Sequence, residues 1–126
     1  MTSNELPELR ALSLAVDGLE YPSESDAPFE PFHWDRKPAG SAREQVAAHV
    51  SPGRPIEEVT VAAFFEQLAD SDDAERFTQL RSVLEAQLSQ PGIFRVPAGA
   101  GEIDLYLVGQ TRAGEWVGLH TVSVET

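Results

Sequence analysis

Between residues 102 and 124 the chain alternates apolar and polar side chains with period two, broken once by a short link. Ile103, Leu105 and Leu107 share one face of the run Glu102 to Val108, and Trp116 to Val124 alternates again. Period two is the spacing of a half-buried strand. The link from Gly109 to Gly114 is turn-rich, so the two runs are predicted to pair as an antiparallel hairpin. Ile93 to Val96 reads as a further short strand. Phe29 to Trp34 reads as another, and Pro31 inside it restricts it to a sheet edge or a bulge. Asp104, Tyr106 and Val108 occupy the opposite face of the hairpin, and their mixed polarity predicts partial cover there, by the first helix.

Upstream the period is helical. Leu9, Leu12, Val16 and Leu19 mark one face of a helix from about Asn4 to Asp17, with Gly18 placed to end it. Ser41-Ala42-Arg43-Glu44 fits a capping box for a short helix to about Val50. Thr60 precedes Val61, Phe64, Phe65 and Leu68 as an N-cap. Asp72-Asp73-Ala74-Glu75 resembles a second capping box, ahead of a helix carrying Phe77, Leu80, Leu84 and Leu88 and ending near Pro91-Gly92. The reading is an α/β chain with an antiparallel sheet at its C-terminal end and helices packed on it. At 126 residues it is a single domain, with the Pro/Gly-rich stretch Asp35 to Pro55 as an internal connection.

Charge narrows the function. Nine Lys and Arg against 21 Asp and Glu leave −12. Such a field repels nucleic acid and anionic membranes and attracts basic proteins. With no cysteine there is no thiolate metal site, disulfide or cysteine nucleophile. No apolar run approaches the ~18 residues of a membrane-spanning helix, and Met1 to Arg10 lacks the pattern of a signal peptide, so a cytoplasmic location is expected. His33, His49 and His120 form no metal-ligand spacing, and neither a nucleophile elbow nor a P-loop is present. Nothing here points to catalysis or to a cofactor.

The acids are not spread evenly. Asp17, Glu20, Glu24, Asp26, Glu30 and Asp35 fall in one run without Lys or Arg, and Glu57, Glu58, Glu66, Asp70, Asp72, Asp73 and Glu75 in a second. A charge run is most often a solvated face. Within the first, however, Tyr21-Pro22-Ser23-Glu24-Ser25-Asp26-Ala27-Pro28 sets two acids between two prolines. Proline fixes φ, and serine hydroxyls turn the backbone locally, so this is a stiffened loop presenting Glu24 and Asp26. The last strand runs almost to Glu125 and Thr126, which positions these residues too.

The blocks Asp17-Gly18-Leu19, Ser23-Glu24-Ser25-Asp26, Pro28-Phe29-Glu30, Phe32-His33-Trp34, Phe64-Phe65, Gln90-Pro91, Ile103 to Gly109 and Val124-Glu125-Thr126, in this order, resemble the nuclease A inhibitor (NuiA-like) family. The resemblance implies an α/β/α sandwich around a mainly antiparallel four-stranded sheet, similar to the pathogenesis-related-protein fold. It also implies an inhibitor, not an enzyme, that plugs the active site of a sugar-nonspecific, Mg²⁺-dependent ββα-metal nuclease. In the family a glutamate after the first helix and a C-terminal threonine approach the partner's metal, and Glu24 and Thr126 match them. Glu20, Ser23, Asp26 and Glu125 complete the candidate partner-binding set. The free protein is expected to be a monomer that binds neither nucleic acid nor membrane and holds no metal of its own. The link Asp70-Ser71-Asp72-Asp73 is shorter than in family members and lacks an aromatic residue, and Arg36 to Pro55 matches poorly. The alternative is an acidic protein–protein interaction module for another basic or signalling partner.

Overall fold

The structure, a computed structural model, describes residues 6–34 and 40–125. The elements are α1 (Pro7–Ala15), β1 (Glu20–Tyr21), β2 (Ala27–Pro28), β3 (Glu30–Trp34), α2 (Ala42–His49), β4 (Glu57–Val59), α3 (Val61–Glu66), α4 (Ala74–Gln87), β5 (Ser89–Gly99), β6 (Glu102–Gln110) and β7 (Trp116–Val124). The main sheet has the order β3-β7-β6-β5-β4 and is antiparallel throughout; β1 and β2 form a separate small hairpin. None of the described helices is long and apolar enough to cross a membrane.

The alternation read from the sequence divides the interior in two. Ile103, Leu105, Leu107, Val117 and Leu119 pack under Leu12, Val16, Phe64, Phe65, Phe77, Leu80 and Leu84 of α1, α3 and α4. The other sheet face carries Phe94, Val96, Val108 and Trp116, and Val46 of α2 packs there. The cover over Tyr106 and Val108 is thus α2 rather than the first helix. The apolar stripe of α1 is complementary to the larger cluster, which α4 shares.

Local signals hold at most element ends. Ser41 and Glu44 form the reciprocal capping box of α2, and the Thr60 hydroxyl accepts from the Ala63 amide at 3.0 Å. Pro31 does sit in an edge strand, β3, which pairs only with β7. Four expectations are corrected. The sheet has five strands, because Glu57–Val59 adds along β5 where two adjacent glutamates give no alternation to read. The first helix starts at Pro7, at the turn where proline's missing donor costs nothing, and ends at Ala15. The second capping box does not form: the N-cap of α4 is Asp73, so Glu75 falls one position short of the reciprocal site, and the Asp73 side chain makes no capping bond. Finally, α4 ends at Gln87, and Pro91 lies inside β5. There Gln90 at φ 47° and a register shift between Ser89 and Gly92 form a bulge that accommodates a residue without an N–H.

Gly118 shows how tightly β7 is held. It lies opposite Phe32 of β3 and Val108 of β6. A Cβ at this position would overlap the Leu107 carbonyl and come within 2.8 Å of the Phe32 ring. Gly118→Ala is therefore expected to destabilise the fold by about 1–3 kcal/mol through overpacking. Urea unfolding should show a lower midpoint at unchanged slope, and an unchanged midpoint would refute the close approach.

Candidate functional site

At one end of the sheet two loops meet the end of β7. The last β3–β7 pair is Glu30 with His120, so beyond His120 strand β7 has lost its neighbour on that side. The loop between β1 and β2 takes that place. The Val124 amide donates to Ser23 Oγ at 3.0 Å, and the Glu24 amide donates to the Val124 carbonyl at 3.2 Å. Thr121 Oγ1 donates to the Ala27 carbonyl (3.3 Å). An exposed strand end is thereby covered, and a loop is fixed to the sheet by backbone.

The loop organises itself as its composition suggests. Asp26 Oδ1 accepts from the Ser23 amide (3.2 Å), and Ser23 Oγ donates to the Ser25 carbonyl (3.1 Å). Beneath it Tyr21 is buried, stacked on Phe64 at 5.8 Å and edge-on to Phe29. Burial, and secondarily the Glu125 charge, push the Tyr21 phenol above its ordinary value of 10.0, so it stays neutral. Glu20, Glu24 and Asp26 are exposed. The second loop is the turn Gly99-Ala100-Gly101, with φ of 84°, 56° and 79°. Its Gly101 carbonyl accepts from the Glu125 amide at 2.6 Å.

Of the candidate residues, Ser23, Glu24 and Glu125 are brought together here. Glu125 departs from its expected part in one respect: its carboxylate is engaged within the chain. Arg95 Nη2 donates to Oε1 at 3.1 Å and Nη1 to Oε2 at 3.3 Å, and Ser123 Oγ donates to Oε2 at 2.7 Å. The Arg95 and Ser123 hydrogen bonds hold the Glu125 carboxyl below the ordinary glutamate value of 4.5. Arg95 was not singled out by sequence; the available signal was a lone cation in the apolar strand Ile93-Phe94-Arg95-Val96. Thr126 and Asp35 lie outside the described residues.

Glu20 and Asp26 face a different neighbour. With Asp70, Asp72 and Asp73 of the α3–α4 link they line one cleft of ≈ 340 Å³. The two acidic runs, some fifty residues apart in sequence, thus meet beside Glu24. No ion pair joins any of these five carboxylates to a described Lys or Arg.

The histidines lie elsewhere. His120 Nε2 is 2.8 Å from Asp104 Oδ1, and Asp104 also accepts from Arg54 at 2.9 Å. Burial alone would raise the Asp104 carboxyl, but the Arg54 and His120 contacts outweigh it and leave it below 3.8. His33 Nε2 lies 2.9 Å from Glu115, and His49 Nδ1 donates to the Gln45 carbonyl while its ring stacks on Trp34. Among the described residues no group of three or more His, Asp or Glu side chains could hold a metal ion.

Two predictions follow from this geometry. Ser23→Ala leaves the Val124 amide without its acceptor and should cost about 1 kcal/mol, with faster hydrogen exchange at that amide; unaltered exchange there would contradict the pin. Glu125→Gln should be less stable than the parent at neutral pH by about 0.2–1 kcal/mol, as for a partly exposed ion pair. Because the folded carboxyl titrates below the unfolded value of 4.5, this contribution is complete above 4.5 and is lost as the pH falls through the lower folded value. The denaturation midpoints of the two proteins should converge in acid, and a gap still constant near about pH 2 would refute the pairing.

No curated protein matches the chain. The model of one family, nuclease A inhibitor-like protein, matches residues 7–126. With nearly its whole length covered, the chain belongs to the nuclease A inhibitor-like protein family.

Proposed function

We propose that this protein inhibits a sugar-nonspecific, Mg²⁺-dependent nuclease of the ββα-metal type by inserting its tip into the active-site groove. It acts by occupancy, not turnover. The observation that carries the reading is Glu24: an exposed carboxylate at the apex of a loop whose backbone is bonded to Val124 of the sheet. Such a nuclease must bind a polyanion through basic side chains and hold a hard cation with oxygen ligands. A rigid carboxylate can stand where a phosphate oxygen would, and Glu24 is assigned that place. Thr126 is assigned the second approach to the partner's metal, on the family resemblance. Glu20 and Asp26, with the Asp70–Asp73 link across the cleft, offer carboxylates to the Lys and Arg side chains of the groove. That link brings three carboxylates to the cleft.

Charge of −12 also favours encounter, raising association rates by roughly 10–10³ at low salt. A footprint of about 1,600 Å² is the standard expectation for an inhibitor of this kind, acting as a monomer. Removing one member of a desolvated charge pair costs about 2–5 kcal/mol, so Glu24→Ala should weaken inhibition from ten-fold to over a thousand-fold. Titration into a plasmid-degradation assay measures this, with circular dichroism to establish that the variant is folded. Undiminished inhibition by Glu24→Ala would remove the mechanism. Failure of the parent protein to inhibit any such nuclease at micromolar concentration would favour another basic partner instead.

A further inference from the structure

The inference concerns Arg95 and rests on the inhibitory reading of the tip. Arg95 lies on β5 with its side chain one-quarter exposed, between buried Phe94 and Val96. Its Nη1 and Nη2 grip the two oxygens of Glu125 as a fork, and its Nε lies 3.5 Å from Glu57 Oε1 on β4, directly across the strand pair. Two strands of a rigid sheet therefore fix the guanidinium. From it the restraint passes along the chain. Glu125 donates its amide to Gly101, and the adjacent Val124 holds both Ser23 and Glu24. A cation at this spot weakens the negative field that draws in a basic partner. What it supplies in exchange is order in the backbone that presents Glu24.

We propose that Arg95 is a positioning residue for the tip: without touching the partner, its fork holds residues 124–125, and that order prolongs the partner's residence on Glu24. A binding segment already fixed in its bound form loses less freedom on association, and such gains appear mainly in the dissociation rate.

The test uses Arg95→Ala and Arg95→Lys in the full chain. Hydrogen exchange is read on the free protein, and stopped-flow binding is measured against a nonspecific Mg²⁺-dependent nuclease. In Arg95→Ala the Glu24, Val124 and Glu125 amides should exchange about tenfold faster while those of Leu107 and Leu119 stay unchanged, and the complex should dissociate about tenfold faster. Association should be as fast or faster, since the net charge becomes −12 − 1 = −13. Arg95→Lys keeps the charge and loses the fork, so association should match the parent and dissociation should fall between the two. A residue that only stabilised the fold would not split the rates in this way. Unchanged exchange at the tip overturns the proposal, as does faster exchange with unchanged dissociation, or parental dissociation in Arg95→Lys. If the parent protein binds no such nuclease, the inhibitory reading and the residence effect fall together, and the exchange data still decide whether Arg95 orders the tip.

Discussion

The pairing of β7 is the constraint on which the rest depends. Its residues Val117 and Leu119 close one core, Trp116 closes the other, and Gly118 lets β3 and β6 come close on either side. A strand buried on both faces cannot slip by one residue without exchanging the two sets, which would drive Trp116 into the core shaped for Val117 and Leu119 and move Gly118 from its close approach. Its register is therefore fixed, and so is the place where β3 stops and the Ser23–Glu24 loop begins. Glu24 is placed by its bond to Val124, on a strand whose register is set by hydrophobic packing at residues 116–119, together with the hydrogen bonds inside its own loop.

The tip sets electrostatics against stability. Five carboxylates around one cleft repel one another in the free protein. The fold tolerates this because all five sit at solvent-facing loop positions or strand ends, where water screens them, and because the apolar clusters lie elsewhere. The charged groups that are partly withdrawn from water are treated differently. Asp104 has Arg54 and His120, and Glu125 has Arg95 and Ser123. Two partly buried or sheet-bound acids are thus matched inside the chain, whereas the five carboxylates of the cleft have no ion pair among the described residues.

Much of this could be read from the sequence where the cause is local. Thr60, the Ser41–Glu44 pair, Pro31 on an edge and the alternation of β6 and β7 each act within a few residues, and each appears as expected. The misses share a different origin. Glu57–Val59 becomes a strand because β5 offers it an edge, not because of its composition. Asp73 rather than Asp72 occupies the N-cap position of α4 because the turn through Ser71 sets the entry one residue later, with the Ala74 amide donating to the Ser71 carbonyl. The Glu24 loop was legible as a stiff acidic turn between prolines. Its attachment to Val124, its meeting with Asp70–Asp73 and the nearby Arg95–Glu125 pair were not, since each joins segments far apart in the chain.

Ser23 and Val124 are separated by 101 positions along the polypeptide. Closing so long a span is slow and entropically costly, and it cannot begin until β7 has left the ribosome. The helices and the early strands can collapse during synthesis, but the surface assigned here to the partner comes into being only when the final strand docks. A nascent or prematurely terminated chain would carry every acid of the first run and still lack the backbone bonds that hold Glu24 against Val124.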